Sequence, residues 1–214
     1  MGDKRALAEQ LYGLAGFDSP RIDLEQYPTP PDLAAHLLHL ADLQGDLQGR
    51  TVVDLGTGTG VLALAAACRG PARVLGLERD PSALAVAREN ERIVAPPRAV
   101  DWLLGDATRP PICPAGPTTV LTNPPFGARS GNEGADRAFL ESASTLGSVS
   151  YSIHNTGSQS FVESFAADNG GEVTHAFRAT FEVGRLYDHH DRERAEIDVE
   201  VFRTVWDSSG SVVE

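Results

Sequence analysis

Residues 123–126 read Asn-Pro-Pro-Phe and follow the run Thr118-Thr119-Val120-Leu121-Thr122. These residue types at this spacing suit one chemical problem. The exocyclic amine of adenine is a poor nucleophile, because its lone pair is delocalised into the ring. Two fixed acceptors, the Asn123 side-chain oxygen and the Pro124 carbonyl, can hold both amine hydrogens and aim the lone pair at an electrophile. Pro124 and Pro125 restrict φ and stiffen the turn. Phe126 offers a flat base a face to stack on.

The electrophile has its own signature upstream. Asp54-Leu55-Gly56-Thr57-Gly58-Thr59-Gly60 lies between a predicted strand and a predicted helix. Its glycines permit a tight turn and close backbone approach to a ligand. The run departs from the pyrophosphate fingerprint G-x-G-x-x-G, because Val61 stands where the third glycine belongs. It suits instead S-adenosylmethionine, which has no pyrophosphate and lays its amino-acid end against such a loop. Glu78, 22 positions beyond Gly56, ends the second predicted strand and can accept from both ribose hydroxyls. Asp106 follows the third strand and is placed to meet the adenine edge, with Ala107 beside it. Each signal alone also fits a structural turn, a solvated strand end or a cap. Together they fall at consecutive strand carboxyl ends, where open α/β sheets bind ligands. Asn123 at the fourth strand end sets its acceptors beside the sulfonium.

The elements that must position these residues alternate. Helices are predicted over 3–15, 32–43, 61–68, 82–92, 135–146 and 158–168, with a break at Tyr27–Pro31. Strands are predicted over 51–55, 74–77, 100–104, 120–121, 148–153, 172–183 and 196–206. Residues 127–134 read as a loop and Asp188–Arg194 as a charged turn. This order predicts an α/β, Rossmann-like class I methyltransferase fold: a seven-stranded, mostly parallel sheet with an antiparallel last strand. The expected division is 1–49 for N-terminal helices and a donor-covering segment, and 50–214 for the methyltransferase domain, in one structural unit.

Composition narrows the setting. A chain of 214 residues with 41% hydrophobic content suits one domain with a substantial core. No apolar run approaches the roughly 20 residues that span a bilayer. The N-terminus is polar and charged, so a cytoplasmic protein is expected. The net charge is −12, and Lys4 is the only lysine among 18 basic residues. Such an acidic surface suits a salt-adapted host, a halophilic archaeon. At molar salt the Debye length is about 3 Å and repulsion from RNA is screened. Cys68 and Cys113 lack metal-ligand spacing and read as packing residues, and no metal site is expected. His36 and His39 read as helix-surface residues. His189 and His190 belong to the charged turn. Tyr27 is placed to wall the pocket, and His154, after the fifth strand, is a candidate substrate contact.

Five segments carry a family resemblance: Leu24-Glu25-Gln26-Tyr27-Pro28-Thr29-Pro30, the Asp54 loop, Asn123-Pro124-Pro125-Phe126-Gly127, Tyr151-Ser152-Ile153-His154 and Ile197-Asp198-Val199-Glu200-Val201. Together they resemble methyltransferase-like protein five and its archaeal relatives, from about residue 20 to 206. Members are S-adenosylmethionine-dependent enzymes that methylate the exocyclic amine of one adenosine in small-subunit ribosomal RNA. The resemblance implies that Gln26 and Thr29 contact the donor from the N-terminal side. Gly56, Thr59, Glu78, Asp106 and Ala107 would line the rest of its pocket, and Asn123 to Phe126 would hold the base. Threonines 57 and 59 stand where eukaryotic members carry cysteines, and Glu78 where an aspartate is common. The resemblance also implies a partner, a small zinc-binding methyltransferase activator protein that extends the sheet through edge strand 98–104. Trp102 there is either an anchor or an ordinary core aromatic. The competing activity is protein glutamine methylation on a release factor, since a side-chain amide presents the same planar nitrogen. Related enzymes use Asn-Pro-Pro-Tyr; Phe126 favours a base.

Overall fold

The computed structural model describes residues 3–125, 134–184 and 194–207. Seven strands form one sheet: β1 (Thr51–Leu55), β2 (Arg73–Glu78), β3 (Val100–Leu104), β4 (Thr118–Thr122), β5 (Val149–Asn155), β6 (Gly171–Gly184) and β7 (Arg194–Trp206). Their order is β3-β2-β1-β4-β5-β7-β6. Strands β1 to β5 run parallel, and β7 lies antiparallel between β5 and β6. The expected seven-stranded, mostly parallel sheet with an antiparallel last strand is the one found. Its chain path matters for the site. After β1 the chain builds outward to β2 and β3, then returns to the other side of β1 for β4. That reversal opens a crevice at the carboxyl ends of β1 and β4.

Helices cover both faces. Helices α1 (Lys4–Leu11), α2 (Pro31–Leu43) and α3 (Val61–Ala67) share one core with the sheet, through Leu37, Leu38 and Leu64 against Val52 and Tyr151. Helix α4 (Pro81–Val94) packs beside α3 and against β2 and β3. On the opposite face, α5 (Ala135–Leu146) sets Phe139 and Ala143 against Val53, Leu55 and Val120. Helix α6 (Gln159–Asp168) adds Val162 and Phe165 against Phe202 and Trp206. All residues of the Ala-rich α3 are buried. Small methyl side chains let it lie close under the donor loop that precedes it.

Local chemistry explains the element ends. The Asp80 side chain accepts from the Ser82 amide at 2.9 Å and caps α4, with Pro81 at the first helical position. Helix α1 ends at Leu11, short of the expected residue 15, because Gly13 and Gly16 follow and disfavour helix. Strand β4 is longer than the Val120-Leu121 core that hydropathy marks. Thr118, Thr119 and Thr122 are buried in it, and each hydroxyl donates to a backbone carbonyl: Gly116 at 3.2 Å, Asp46 at 2.5 Å and Leu55 at 3.1 Å. A β-branched residue fits a strand, and a satisfied hydroxyl can be buried in one. Among the described residues no helix is long and apolar enough to cross a membrane.

Candidate active site

The donor loop is built on β1 and tied to β2. The Gly56 and Thr57 amides both donate to the Leu77 carbonyl at 2.9 Å. Gly58 takes φ +55, and a Cβ there would lie 2.9 Å from the Phe17 ring. Only glycine meets both conditions without strain. Asp54, 1% exposed, accepts through Oδ2 from Thr57 Oγ1 at 2.6 Å and from the Ala63 amide at 3.0 Å. Its Oδ1 is buried with no protein partner. Burial pushes the Asp54 carboxyl up to about 7, with the nearby Glu78 charge adding to the rise and the Thr57 and Ala63 bonds opposing it. Asp54 also borders a cavity, so its carboxyl lies close to whatever occupies it.

Glu78 does more than the sequence suggests. Its Oε2 accepts from the Gly58 amide at 2.9 Å, and its Oε1 from the Arg79 and Asp80 amides at 2.8 and 2.9 Å. Burial raises its carboxyl, and these backbone bonds pull it back. A carboxylate offers about four acceptor positions, so Glu78 braces the loop and keeps little capacity for a ribose. Asp106 closes a turn instead, accepting through Oδ1 from the Thr108 amide and hydroxyl at 2.9 and 2.8 Å. These bonds, the Thr108 amide first, hold its carboxyl below the usual range.

A segment preceding α2 straps this arrangement from above. It turns at Glu25, buried at φ 48, a conformation uncommon outside glycine. Gln26 accepts through Oε1 from the Arg21 amide at 2.8 Å and donates through Nε2 to Asp80 Oδ2 at 2.8 Å. Further on, Asn123 Nδ2 donates to Thr29 Oγ1 at 3.1 Å, joining the strap to the end of β4. Nearer the N-terminus, the wholly buried Asn90 of α4 accepts from the Ala15 amide at 2.8 Å and donates to the Ala15 and Thr59 carbonyls, both at 2.9 Å.

The result is a cavity of about 300 Å³, at the lower end of small-molecule sites. Asp54, Gly56, Gly58 and Thr59 line its floor, and Glu78, Asp106 and Ala107 one side. Gln26, Tyr27 and Thr29 come from the strap, and Asn123 and Pro125 from the end of β4. Three expected residues lie elsewhere. Gly60 sits beneath Trp102, where a Cβ would come 2.7 Å from the ring. Pro124 is buried outside the lining. His154 is 2% exposed, outside the lining, with its ring 5.8 Å from that of Phe202. Burial lowers its imidazole to about 4, so it is neutral at physiological pH. Phe126, the 127–133 part of the expected loop and the turn with His189 and His190 lie outside the described residues.

Sequence reasoning missed Phe17 and Phe139, which pack over Gly58 and Gly56 and line the cavity, and it missed Asp80 and Asn90 as tethers. A polar Asn in register with the buried Ala83 and Ala87 of α4 was the available signal for Asn90. Trp102 resolves as a packing residue. Its Nε1 donates to Glu91 Oε2 at 2.7 Å, and its ring lies against Gly60 and Gly76. Strand β3 is nonetheless a sheet edge. Among the described residues no cluster of His, Cys, Asp and Glu could hold a metal.

Cavity size, the glycine loop and the neighbouring acidic side chain of Asp54 fit the amino-acid end and sulfonium of S-adenosylmethionine. Comparison with known proteins agrees. The model of the ribosomal protein L11 methyltransferase (PrmA) family matches residues 35–98, the donor half of the site. A solved structure from Pyrococcus horikoshii, described provisionally as an RNA methyltransferase, is 35% identical with a TM-score of 0.85, covering 96% of this chain and 98% of that one. The Drosophila melanogaster rRNA N(6)-adenosine-methyltransferase Mettl5 is 34% identical over 93% of this chain and 94% of its own. The Danio rerio METTL5, of the same description, is 30% identical over 93% and 97%. With likeness at this level along nearly its whole length, the chain belongs to the Mettl5 family of methyltransferases.

Proposed function

We infer that this chain is an S-adenosylmethionine-dependent methyltransferase acting on the N6 amine of an adenosine in small-subunit ribosomal RNA. The observation that carries the reading is that Asn123 lines the same cavity as Asp54 and the glycine loop. An amide acceptor thus stands beside a site for a charged amino acid, at the carboxyl ends of adjacent parallel strands. Bound donor supplies an electrophilic methyl group and a neutral thioether as leaving group. The chain's own part is positioning and water exclusion, the main sources of acceleration for such a transfer. The target adenosine leaves its stack. Asn123 Oδ1 accepts from an amine hydrogen, and Phe126 stacks on the ring. The amine lone pair forms the new N–C bond as the C–S bond breaks, and the nitrogen then sheds one proton to water.

The strap over 24–29 covers the donor in this reading, with 1–49 as its support and 50–214 as the catalytic body. The edge of β3 is the docking line for a small zinc-binding activator protein by strand addition. Leu104 at its end is 62% exposed, which supports that role. The reaction is cytoplasmic, and the acidic surface fits a halophilic archaeal host in which salt screens the −12 charge from RNA. The test is transfer of labelled methyl to small-subunit RNA and to a release factor in parallel, with the RNA position mapped. Label on one adenosine N6, lost in Asn123→Ala with donor affinity unchanged, is expected. Label on the glutamine of the release factor instead would overturn the reading.

A further inference from the structure

We propose that Phe17 is a donor-binding residue and that Asn90 positions it, so that the cover over the donor starts upstream of the 24–29 strap. The proposal rests on the donor assigned above and concerns the wall of the same cavity.

Phe17 does not belong to the core. Three apolar clusters hold the buried side chains of the described residues, and its ring joins none of them. Phe139, the other aromatic over the donor loop, packs into one. Phe17 is instead half-buried and lines the cavity. Its contact with the loop has a direction. A Cβ on Gly58 would lie 2.9 Å from the ring's Cζ, but 3.6 and 3.9 Å from Cε1 and Cε2. The ring therefore stands on the loop by its tip rather than lying flat on it. Apolar surface that no core covers is stabilised by a ligand that covers it. The donor carries two groups drawn to an aromatic ring, a cationic sulfonium and a flat adenine.

The chain around Phe17 does little to hold it in place. Among the described residues no backbone–backbone hydrogen bond is made from Gly16 to Pro20. The fixed point is Ala15, two positions upstream. Asn90 accepts from the Ala15 amide at 2.8 Å and donates to the Ala15 carbonyl at 2.9 Å. Its Nδ2 also donates to the Thr59 carbonyl at 2.9 Å. An amide N–H only donates and a carbonyl only accepts, so these three partners define which end of the Asn90 amide is which. Asn90 thus ties both polar groups of Ala15 to the loop on which Phe17 stands, and it does so from the buried face of α4. That tether sets the ring against the cavity.

The experiment titrates S-adenosylmethionine, in the absence of RNA, into wild type, Phe17→Leu, Ala15→Pro and the double variant by calorimetry, and melts each protein without ligand. Leucine keeps an apolar side chain and removes the ring. Proline, at an exposed position, removes the amide hydrogen that Asn90 Oδ1 accepts and leaves the Asn90–Thr59 bond in place. Each single variant should bind about five- to tenfold more weakly, the range of an aromatic contact. The double variant should lie within about twofold of the weaker single, because both changes act on the same ring. The melting temperature of Phe17→Leu should stay within about 3 °C of wild type. Wild-type affinity in Phe17→Leu overturns the donor contact, as does a fall in melting temperature with affinity unchanged. Wild-type affinity in Ala15→Pro, or losses that multiply in the double variant, overturns the role of Asn90. A wild type that binds no S-adenosylmethionine would instead refute the donor itself, before any variant is read.

Discussion

Asp54 gives a pH dependence that can be worked from the structure. Its carboxyl lies at about 7 in the folded chain without donor, against an ordinary 3.8. The folded state therefore holds this proton more tightly than the unfolded one. The group's contribution to stability is full below pH 4 or so and is lost as pH rises through about 7. The loss reaches roughly 4 kcal/mol by about pH 8, at about 1.4 kcal/mol per pH unit. A donor ammonium bound beside Asp54 reverses the preference, because a nearby cation favours the carboxylate. Below neutrality binding must expel a proton, and affinity should fall about 15-fold between about pH 7 and 5.5. S-adenosylhomocysteine, which keeps the amino-acid end and has no methyl group to transfer, is the ligand for calorimetry across that range. Two buffers of different ionisation enthalpy will count the proton directly. Asp54→Asn retains an acceptor for Thr57 and Ala63 but no charge. It should bind about 10- to 100-fold more weakly at neutral pH, the value of a charge-assisted bond, with a flat pH profile and a more stable apo protein at alkaline pH. A flat profile in the wild type, or an equal slope in Asp54→Asn, would refute the coupling of Asp54 to the donor.

Two further outcomes follow from packing. Gly58→Ala combines a left-handed backbone, costing about 1–2 kcal/mol for a residue with a Cβ, with a methyl 2.9 Å from the Phe17 ring. Donor affinity should drop about tenfold, and the Phe17→Ala background should recover part of it; an unchanged binding isotherm for Gly58→Ala would show that the loop does not touch the donor. Arg203→Met removes bonds of 2.7 and 3.2 Å to Asp46, which is 2% exposed and keeps Tyr151 as a donor at 2.6 Å. Leaving that carboxylate with Arg50, 3.9 Å away, as its remaining cation should cost about 3 kcal/mol in denaturant unfolding, and a change below about 1 kcal/mol would show that the pair is dispensable.

The strand-to-helix loop of the candidate site was legible because its residues are constrained by type. Gly58 must take a left-handed φ beneath an aromatic ring, and Asp54 must sit where a strand ends, so both leave local marks. The alternation of strands and helices gave the sheet for a similar reason: period and turn residues are local. What failed to show was long-range. The partners of Gln26, Asn90 and Asn123 lie 54, 75 and 94 residues away, and no spacing rule connects them. Burial by satisfied hydroxyls also hid the ends of β4, since hydropathy scores Thr118 and Thr122 as polar while their bonds make them core. His154 was misplaced by neglecting burial. Strand β5 is buried on both faces from Val149 to His154, so His154 lies in packing on either parity.

Asn90 has a consequence for motion. One wholly buried side chain joins Ala15 of the N-terminal segment to Thr59 of the donor loop through three bonds. Pulling the segment away would strip the buried Asn90 amide of both its bonds to Ala15, while its bond to the Thr59 carbonyl stayed. The segment and the loop therefore share one brace, and their openings are coupled within an otherwise more stable sheet. Slow amide exchange at Ala15 and at the donor loop should then share one opening free energy, and a ligand that touches only the loop should slow exchange in a stretch of chain more than forty residues upstream.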